Sequence, residues 1–422
     1  METITSIRGF KDILPHETGI WQYVEGKARE IFGDFGVREI RVPILEKTDL
    51  FKRSIGESTD IVEKEMYSFL DRGDEYLTLR PEATASVIRS YIEHTMYAAD
   101  PIAKLFTIGP MFRRERPQKG RFRQFHQINV ELLGLDDPRI DAEVILMLMQ
   151  FLKRLDLIEI NLEINSLGCH DCRPRFRNDL YHFLKDKENE LCGDCRRRLY
   201  TNPLRVFDCK IESCHAIIDH APRLSGFTCR VCKDHFDSLK EYLNNFEIPF
   251  EINEKMVRGL DYYTRTTFEV VTKSLGAQNA IAGGGRYDGL VRDLGGPDIP
   301  GIGFAIGMER LISMMPAEYG KYIVCPDVFI AALGDEAQKI AFSLCNRLRM
   351  RGVRTDMDYA GKSLKSQMKR ADKLNCLYTL ILGDKEINEN SVELRDMKSG
   401  TQMTSGLDPI EETIIKLLNR GE

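Results

Sequence analysis

The chain has 422 residues, of which 30% are charged and 42% hydrophobic, and its formal net charge is −5. Such a length exceeds one ordinary hydrophobic core, so we expect two or three domains. The negative charge argues against a uniform coating of nucleic acid, although local basic patches could still bind phosphate. No apolar run approaches the length of a membrane span. The start, METITSIRGFKDILP, lacks the apolar core of a secretory signal, so we expect a cytoplasmic protein without membrane contact.

The first predicted element is an amphipathic helix over residues 16–35, with Ile20, Val24, Ala28 and Ile31 on one face. The next run, VREIRVPILEKTDLF, is typical of a strand broken by a proline. The stretch YLTLRPEATASVIRSYI then predicts a strand followed by a helix.

Two strand-like runs, residues 102–115 and 121–134, predict an antiparallel hairpin with a long tip. A buried helix is predicted over residues 141–155. Residues 166–250 are polar and rich in cysteine pairs, which indicates an inserted helical module. Strand patterns resume at FEVVTKSLG and NAIAGGGRYDGLV.

Beyond Pro326 the pattern alternates between strand and helix, which predicts a small α/β domain with a mostly parallel sheet. We therefore expect a first domain over residues 1–325, which includes the inserted module, and a second over residues 326–422.

The predicted hairpin carries a dense group of cations, with six basic residues among the eleven of RRERPQKGRFR (113–123). An arginine on a rigid strand can grip a phosphate through two hydrogen bonds. The nearby Phe125 offers a face on which a base can stack. A solvated charged hairpin has the same composition, so the pattern alone leaves both interpretations open.

The stretch GIGFAIGMERL (301–311) places Gly303, Ala305 and Gly307 on one side of a predicted strand. This bare side lets a ligand or another backbone approach closely. The glycines alternate, whereas a dinucleotide-binding loop has a wider spacing, so we reject that interpretation. A second unusual run, RGLDYYTRTTFEV (258–270), concentrates arginines, a carboxylate and two phenols at the start of a strand.

Taken together, these stretches resemble the three motifs of class II aminoacyl-tRNA synthetases, in the expected order. RGLDYYTRTTFEV and AGGGRYDGLV closely resemble the two signatures of the histidyl-tRNA synthetase family, and RGFKDILP, LRPEATA and RERPQKGRFRQFHQ are also similar to it. The resemblance covers essentially the whole chain. It implies an α+β fold: a class II antiparallel-sheet catalytic domain with an inserted helical module, followed by a small α/β anticodon-binding domain.

The resemblance also implies an activity, the ATP-dependent attachment of L-histidine to tRNA(His) through a histidyl-adenylate. Arg258 and Arg113 would be catalytic. The residues implied to bind histidine are Glu82, Thr84, Gln127, Glu131, Arg258, Tyr262 and Tyr263. Those implied to bind ATP are Arg113, Glu115, Arg121, Phe125 and Arg310. Mg²⁺ would accompany ATP, and the family implies a homodimer.

Two positions depart from the general class II pattern. Asn129 stands where an acidic residue is usual, which weakens a metal role there, and Ala305 replaces a middle glycine. The main rival hypothesis is a synthetase-like regulatory subunit of ATP phosphoribosyltransferase. Such proteins keep the fold but lose the adenylation residues and often the carboxy-terminal domain, whereas this chain retains both.

Eight of the eleven cysteines fall in pairs between residues 169 and 232. Cys169, Cys172, Cys192 and Cys195 have the spacing of a four-thiolate zinc site, while Cys209, Cys214, Cys229 and Cys232 form a looser set. We expect one structural zinc bound by the first four cysteines or by a mixture of the pairs. The alternative is that the cysteines are small core residues or the remnant of a lost site.

Overall fold

The computed structural model describes residues 3–56, 59–117, 120–257, 259–272, 280–315 and 319–418. The chain divides into two compact units, Met1–Tyr319 and Gly320–Glu422, each of which is described by itself.

The first unit is built around one large sheet that is covered by helices and interrupted by the inserted module. Its helices are α1 Pro15–Asp34, α2 Thr48–Ile55, α3 Thr84–Glu93, α4 Met96–Ala99, α5 Pro138–Arg154, α6 Arg173–Lys185, α7 Gly193–Thr201, α8 Glu212–Ile218, α9 Arg230–Asn245, α10 Leu290–Asp293 and α11 Met308–Met314. Its strands are β1 Arg38–Glu39, β2 Leu45–Lys47, β3 Tyr67–Leu70, β4 Tyr76–Leu79, β5 Ala103–Phe112, β6 Gln124–Leu133, β7 Asn161–Ser166, β8 Phe250–Ile252, β9 Thr264–Val271, β10 Ala280–Arg286 and β11 Gly301–Gly307.

The large sheet has eight strands in the order β1-β5-β6-β11-β10-β9-β7-β8. Only the outer pairs β1–β5 and β7–β8 are parallel, and every inner pair is antiparallel. Helix α1 buries the predicted face, and the ring of Phe32 on it packs 5.4 Å from Phe106 and 6.0 Å from Phe304. The antiparallel catalytic sheet expected from the sequence is confirmed.

Strands β5 and β6 form the predicted hairpin, in register from Ala103 opposite Leu133 to Phe112 opposite Gln124. Strand β6 then pairs with β11 on its other side, so that Glu131 lies opposite Gly303. Because side chains alternate along a strand, Gln127, Asn129 and Glu131 share one face of the sheet. This face becomes the floor of the site described below.

A smaller antiparallel sheet, in the order β2-β4-β3, lies in the same unit. The proline-broken run of the sequence becomes β1 and β2, separated around Pro43. The guanidinium of Arg80, which follows β4, is 3% exposed and donates to the backbone oxygens of Val42 at 2.9 Å and Pro110 at 2.9 Å. This buried arginine therefore ties the small sheet to the hairpin.

The inserted module lies between β7 and β8 and contains only helices α6 to α9 and short 3₁₀ turns. Its core mixes leucines and isoleucines with Cys195, Cys209 and Cys214, and Tyr263 from the catalytic part packs against it. The predicted helical insertion is observed.

The second unit contains α12 Asp335–Met350, α13 Leu364–Lys373, α14 Asp384–Asn388, α15 Ile410–Leu417, β12 Val328–Ala332, β13 Thr355–Met357, β14 Tyr378–Leu382, β15 Ser391–Asp396 and β16 Gln402–Gly406. Its sheet has the order β13-β12-β14-β15-β16. The first three strands are parallel, as the alternating pattern predicts, whereas β15 and β16 add an antiparallel hairpin that the sequence analysis did not separate.

Candidate active site

A pocket of about 270 Å³ opens on the face of the large sheet formed by β6, β9, β10 and β11. It brings together the sequence-predicted residues Glu82, Thr84, Arg113, Glu115, Arg121, Phe125, Gln127, Glu131, Tyr262, Tyr263 and Arg310. The remaining predicted residue, Arg258, lies outside the described residues.

Glu131 is a buried acid in this pocket. It is 2% exposed, and its carboxyl group accepts hydrogen bonds from the Thr84 hydroxyl at 2.6 Å and from the Tyr287 hydroxyl. Burial raises the pKa of Glu131 from its ordinary value of 4.5 to about 8. The pocket thus holds a carboxylic acid that is mostly protonated at neutral pH before a ligand binds.

Glu82 supports the start of helix α3. Its carboxyl oxygens accept from the backbone N–H groups of Thr84 at 2.7 Å and Ala85 at 2.9 Å, which have no partner within the helix. Burial raises its pKa, while these hydrogen bonds oppose the shift. Glu82 therefore fixes Thr84, which in turn contacts Glu131.

Three phenols line one side of the pocket. The rings of Tyr262 and Tyr263 lie 4.7 Å apart, and that of Tyr287 lies 5.8 Å from Tyr262. Burial raises the pKa of Tyr262 and Tyr287 well above 10, so both remain protonated donors at neutral pH. Tyr287 was missed by the sequence analysis, although the stretch AGGGRYDGLV that contains it was singled out.

A cationic half of the pocket is formed by the hairpin. The Arg113 side chain donates to the backbone oxygen of Pro81 at 2.9 Å, and its guanidinium lies 5.2 Å from the centre of the Phe125 ring. Arg121 and Glu115 form an ion pair at 2.7 Å. These contacts hold Arg113 rigidly and leave Arg121 on a more exposed side chain.

Arg310 enters the same half from helix α11 and donates to the backbone oxygen of Ala280 at 2.7 Å. Burial lowers its pKa, and the nearby Arg121 acts in the same direction. The adjacent Glu309 accepts from the backbone and ring of His126 at 2.9 and 3.0 Å, which locks α11 to β6. This cluster of guanidinium groups is arranged to receive an anion.

The small residues on one face of β11 allow a close contact with Glu131. A Cβ atom added to Gly303 would lie 2.1 Å from a carboxyl oxygen of Glu131 and 2.3 Å from the backbone oxygen of Val130. The close approach expected from the alternating small residues therefore occurs between this glycine and Glu131.

Two amide side chains on the floor of the pocket each have an oxygen without a hydrogen-bond partner. The side-chain oxygens of Gln127 and Asn129 are buried and make no hydrogen bond within the described part of the chain. Since buried polar atoms are normally paired, these oxygens mark positions where a ligand can donate.

A larger cavity of about 640 Å³ lies on the module side. It is also lined by arginines and tyrosines, but few of the residues that the sequence motifs single out line it. We therefore take the smaller pocket, where those residues meet, as the candidate active site. Leu260 and Tyr263 line both cavities. The segment 259–263 is therefore the wall between them.

The cysteine pairs group differently from the first set expected. Cys169 and Cys172 lie with Cys229 and Cys232, whereas Cys192 and Cys195 lie with Cys209 and Cys214. The grouping of Cys169, Cys172, Cys192 and Cys195 is therefore wrong. The reason is topological: the starts of α6 and α9 meet beside β9, while α7 and α8 meet within the module. A mixture of the pairs, the other arrangement considered, is what the structure contains.

No helix within the described residues is both long and apolar enough to cross a membrane.

Comparison with known proteins gives matches over nearly the whole chain. The family described as "Histidyl-tRNA synthetase" matches residues 9–311, and the domain described as "Anticodon binding domain" matches residues 327–417. The "Histidine--tRNA ligase" of Geobacter sulfurreducens is 55% identical over 408 residues, which are 97% of this chain and 98% of that protein. The "Histidine--tRNA ligase" of Desulforapulum autotrophicum is 54% identical over 99% of both chains.

Among solved structures, apo histidyl-tRNA synthetase of S. aureus superposes with a TM-score of 0.83 at 37% identity, covering 98% of this chain and 100% of that one. An ATP phosphoribosyltransferase regulatory subunit/histidyl-tRNA synthetase from Bacillus halodurans has a TM-score of 0.65 at 20% identity, covering 90% and 98% respectively, which shows a shared fold alone. On these matches, and with a pocket assembled from its signature stretches, the chain belongs to the histidyl-tRNA synthetase family.

Proposed function

We propose that this pocket activates L-histidine with ATP to form histidyl-adenylate and that the histidyl group then passes to tRNA(His). The chain is an aminoacyl-tRNA synthetase that attaches histidine to tRNA, as its family and its full-length relatives support. The single observation that carries the site assignment is the convergence of the predicted acids, phenols and arginines on one pocket.

The half of the pocket around Glu131 is the proposed histidine subsite. An imidazole has one N–H donor and one acceptor nitrogen when neutral, so a carboxyl group and a phenol complement it. Glu131 and Tyr263 would provide these two partners, with Tyr262 beside them. Analogues that lack the ring nitrogens would leave buried polar groups unpaired, which is the strongest source of discrimination.

The remaining groups of this half would hold the amino-acid backbone of the substrate. Glu82, Thr84 and Gln127 are assigned to its α-amino and carboxylate end. The unpaired oxygen of Gln127 supports this role because an ammonium group would satisfy it. Arg258 is assigned to the carboxylate and the α-phosphate on the basis of the family resemblance.

The cationic half is the proposed ATP subsite. Arg113 would clamp the α-phosphate, and Phe125 and Arg310 would sandwich the adenine ring. Glu115 would accept from the adenine amino group, and Arg121 would reach the outer phosphates. Because Glu115 and Arg121 pair at 2.7 Å without ligand, ATP binding would replace that ion pair.

In the proposed reaction an oxygen of the histidine carboxylate attacks the α-phosphorus in line, and the bond to the bridging oxygen breaks to release pyrophosphate. A hydroxyl of the terminal tRNA ribose then attacks the activated carbonyl and AMP leaves. The side chains form no covalent bond with the substrates. They position the reactants and stabilise charge at phosphorus. In such reactions these two effects provide much of the rate enhancement.

Mg²⁺ is proposed to enter with ATP, where it would neutralise phosphate charge. Within the described residues, the only groups of three or more potential metal ligands are the two cysteine clusters. The acids of the pocket therefore do not form a preassembled Mg²⁺ site. This arrangement suits an ion that keeps phosphate oxygens and waters as most of its ligands.

The second unit is proposed to bind the anticodon stem of the tRNA, consistent with its match to an anticodon-binding domain. Helix α13 buries Gln367 and Ala371 and leaves Lys365, Lys369 and Lys373 exposed. Such a row of cations can contact successive phosphates.

The homodimer implied by the family is likewise a proposal. Exposed apolar side chains gather on and beside the small sheet β2-β4-β3, where Leu70 is 53% and Tyr76 is 63% exposed. A surface of this kind is typical of a protein interface.

Because the reaction serves protein synthesis, we place it in the cytoplasm. We also propose that the module holds structural zinc, since its cysteines cluster in fours.

The test is an aminoacylation assay with purified chain, ATP, Mg²⁺ and total tRNA. Histidine should be the only amino acid incorporated. Histidine-dependent pyrophosphate exchange also separates this function from that of a synthetase-like regulatory subunit, which would show none. Incorporation of another amino acid, or absence of exchange, would refute the proposal.

A further inference from the structure

Eight cysteines of the module form two compact quartets, and within each the sulphur atoms all lie within 4.8 Å of one another. Quartet A is Cys169, Cys172, Cys229 and Cys232, and quartet B is Cys192, Cys195, Cys209 and Cys214. Individual Sγ–Sγ distances are 3.5 and 3.8 Å in quartet A and 3.9 Å in quartet B. A disulfide would bring two sulphurs to about 2.05 Å. Four thiolates about 2.3 Å from one tetrahedral zinc ion lie about 3.8 Å apart, which is the spacing observed.

Each quartet has contacts that favour a thiolate on some of its cysteines. Backbone N–H groups donate to sulphur, from Cys229 to Cys172 at 3.1 Å and from Cys195 to Cys192 at 3.4 Å. Cys172, Cys192 and Cys229 each directly precede a helix of at least nine residues, where the helix dipole favours negative charge. The cysteines thus have the grouping that metal ligands require, although Cys195, Cys209 and Cys214 also pack in the core of the module.

We propose that quartets A and B each bind one Zn²⁺ and that the two ions together hold segment 259–263 in place at the histidine subsite. The positioning role rests on the proposed function of the pocket, whereas metal binding does not. Each ion would be held by four thiolates, after the four thiols release their protons.

Quartet A is linked to the carboxyl end of the segment. Arg173 directly follows Cys172, and its guanidinium donates to the backbone oxygen of Leu167 at 3.1 Å and to that of Tyr263. On the other side of the quartet, the backbone oxygen of Gly168 accepts from the N–H of Arg265 at 2.8 Å. An ion at quartet A therefore fixes residues 168–173, which form hydrogen bonds with Tyr263 and Arg265.

Quartet B is linked to the amino end of the same segment. Cys195 and Cys209 bracket residues 196–208, which supply the two contacts. The amide of Asn202 donates to the Asp261 carboxylate at 3.1 Å, and the guanidinium of Arg205 donates to the backbone oxygen of Gly259. An ion at quartet B would therefore tie the two ends of residues 196–208 together and restrain Asn202 and Arg205.

Segment 259–263 needs such support because a cavity lies on each side of it. Leu260 and Tyr263 line both the active-site pocket and the larger cavity. On the catalytic side, the backbone N–H of Asp261 donates to the oxygen of Ile55 at a longer 3.3 Å. Loss of zinc should accordingly weaken histidine binding more than it slows the chemical step.

The first experiment is elemental analysis of the full chain purified without chelator. We expect two zinc ions per chain, and one in each of the double variants C169S/C172S and C192S/C195S. Cys325→Ser, outside both quartets, should retain two. One zinc or less per chain in the unsubstituted protein, or iron in its place, would overturn the proposal. Should a double variant fail to fold, titration of metal-free full-length chain with Co²⁺ should give the absorption of tetrahedral thiolate sites at two equivalents, and saturation at one equivalent or none would equally overturn it.

The second experiment separates positioning from metal binding. Arg173→Met should keep both zinc ions, raise the histidine KM in pyrophosphate exchange by about fivefold, and change kcat and the ATP KM by less than about twofold, as expected for loss of roughly one hydrogen bond. Arg177→Met is the matched control, because Arg177 lines the larger cavity but donates to Thr201 instead of the segment. An unchanged histidine KM with zinc retained would refute the positioning role. Exchange driven by another amino acid would refute the proposed function while leaving the zinc count intact.

Discussion

The buried acid Glu131 should make the stability of the ligand-free protein depend on pH, and Glu131→Gln should remove that dependence. In the folded state burial raises its pKa to about 8, whereas in an unfolded chain a glutamate titrates near 4.3. Between these values the folded protein holds a proton that the unfolded chain has released. Unfolding therefore releases a proton, and raising the pH favours it.

The size of the effect follows from the two pKa values. One proton of difference changes the free energy of unfolding by about 1.4 kcal/mol per pH unit, so the wild type should lose about 3 kcal/mol between pH 5 and 7.5 relative to Glu131→Gln. This contribution is fully present below pH 4 and is lost by pH 8. For a unit of 319 residues it corresponds to a relative shift of roughly 4 °C in Tm.

The assay is thermal unfolding of both proteins without ligand across this pH range at one scan rate. Glu190→Gln, a change at an exposed glutamate, serves as the control and should follow the wild type. The Glu82 carboxyl, also buried, contributes to the raised pKa of Glu131, so the observed midpoint belongs to the interacting pair. Parallel curves for wild type and Glu131→Gln would show that burial does not raise the pKa and would refute the reasoning.

Three further predictions concern the pocket and the second unit. Arg258→Ala should lower kcat of adenylation by about a hundredfold or more, because the loss of a preorganised cation removes charge stabilisation at phosphorus, and a raised KM with unchanged kcat would show that it only binds substrate. Gly303→Ala should abolish histidine-dependent exchange, because the added methyl group would occupy the position of the Glu131 carboxyl, whereas Gly26→Ala, with open space around it, should be silent in the same assay. Removal of residues 320–422 should spare pyrophosphate exchange but cripple aminoacylation, and equal loss of both activities would contradict the division of labour between the units.

The parts of the fold that the sequence predicted are those governed by local periodicity. Helix α1 has its buried residues at the predicted positions, and the hairpin β5–β6 forms where two alternating runs flank a charged loop. The hairpin β15–β16 was not separated because its strands are short and partly exposed, so their apolar signal is weak. Most pocket residues could also be predicted from the sequence, because each lies in a short motif with a recognisable set of functional side chains.

Contacts between distant strands could not be read in the same way. Tyr287 reaches Glu131 only because β11 lies between β6 and β10 in the sheet, an order that the sequence does not state. The raised pKa of Glu131 depends on the same arrangement. The cysteine quartets also depend on contacts between distant residues. Spacing in the sequence identifies the pairs, but the packing of the helices decides which pairs meet.

The residues of the pocket are consequently held by two different means. Phe125, Glu131 and Gly303 lie on paired strands of the sheet, and Arg310 lies on a helix that Glu309 fixes to β6, so the positions of these groups follow from regular hydrogen bonding. Tyr262 and Tyr263 instead precede β9, on a segment that the inserted module supports from outside. Sheet geometry alone would place Phe125 and Glu131, whereas the position of Tyr263 also depends on the module. On the proposed assignment of Tyr263 to the imidazole, the polar, cysteine-rich module would contribute to histidine recognition without contacting the reacting atoms.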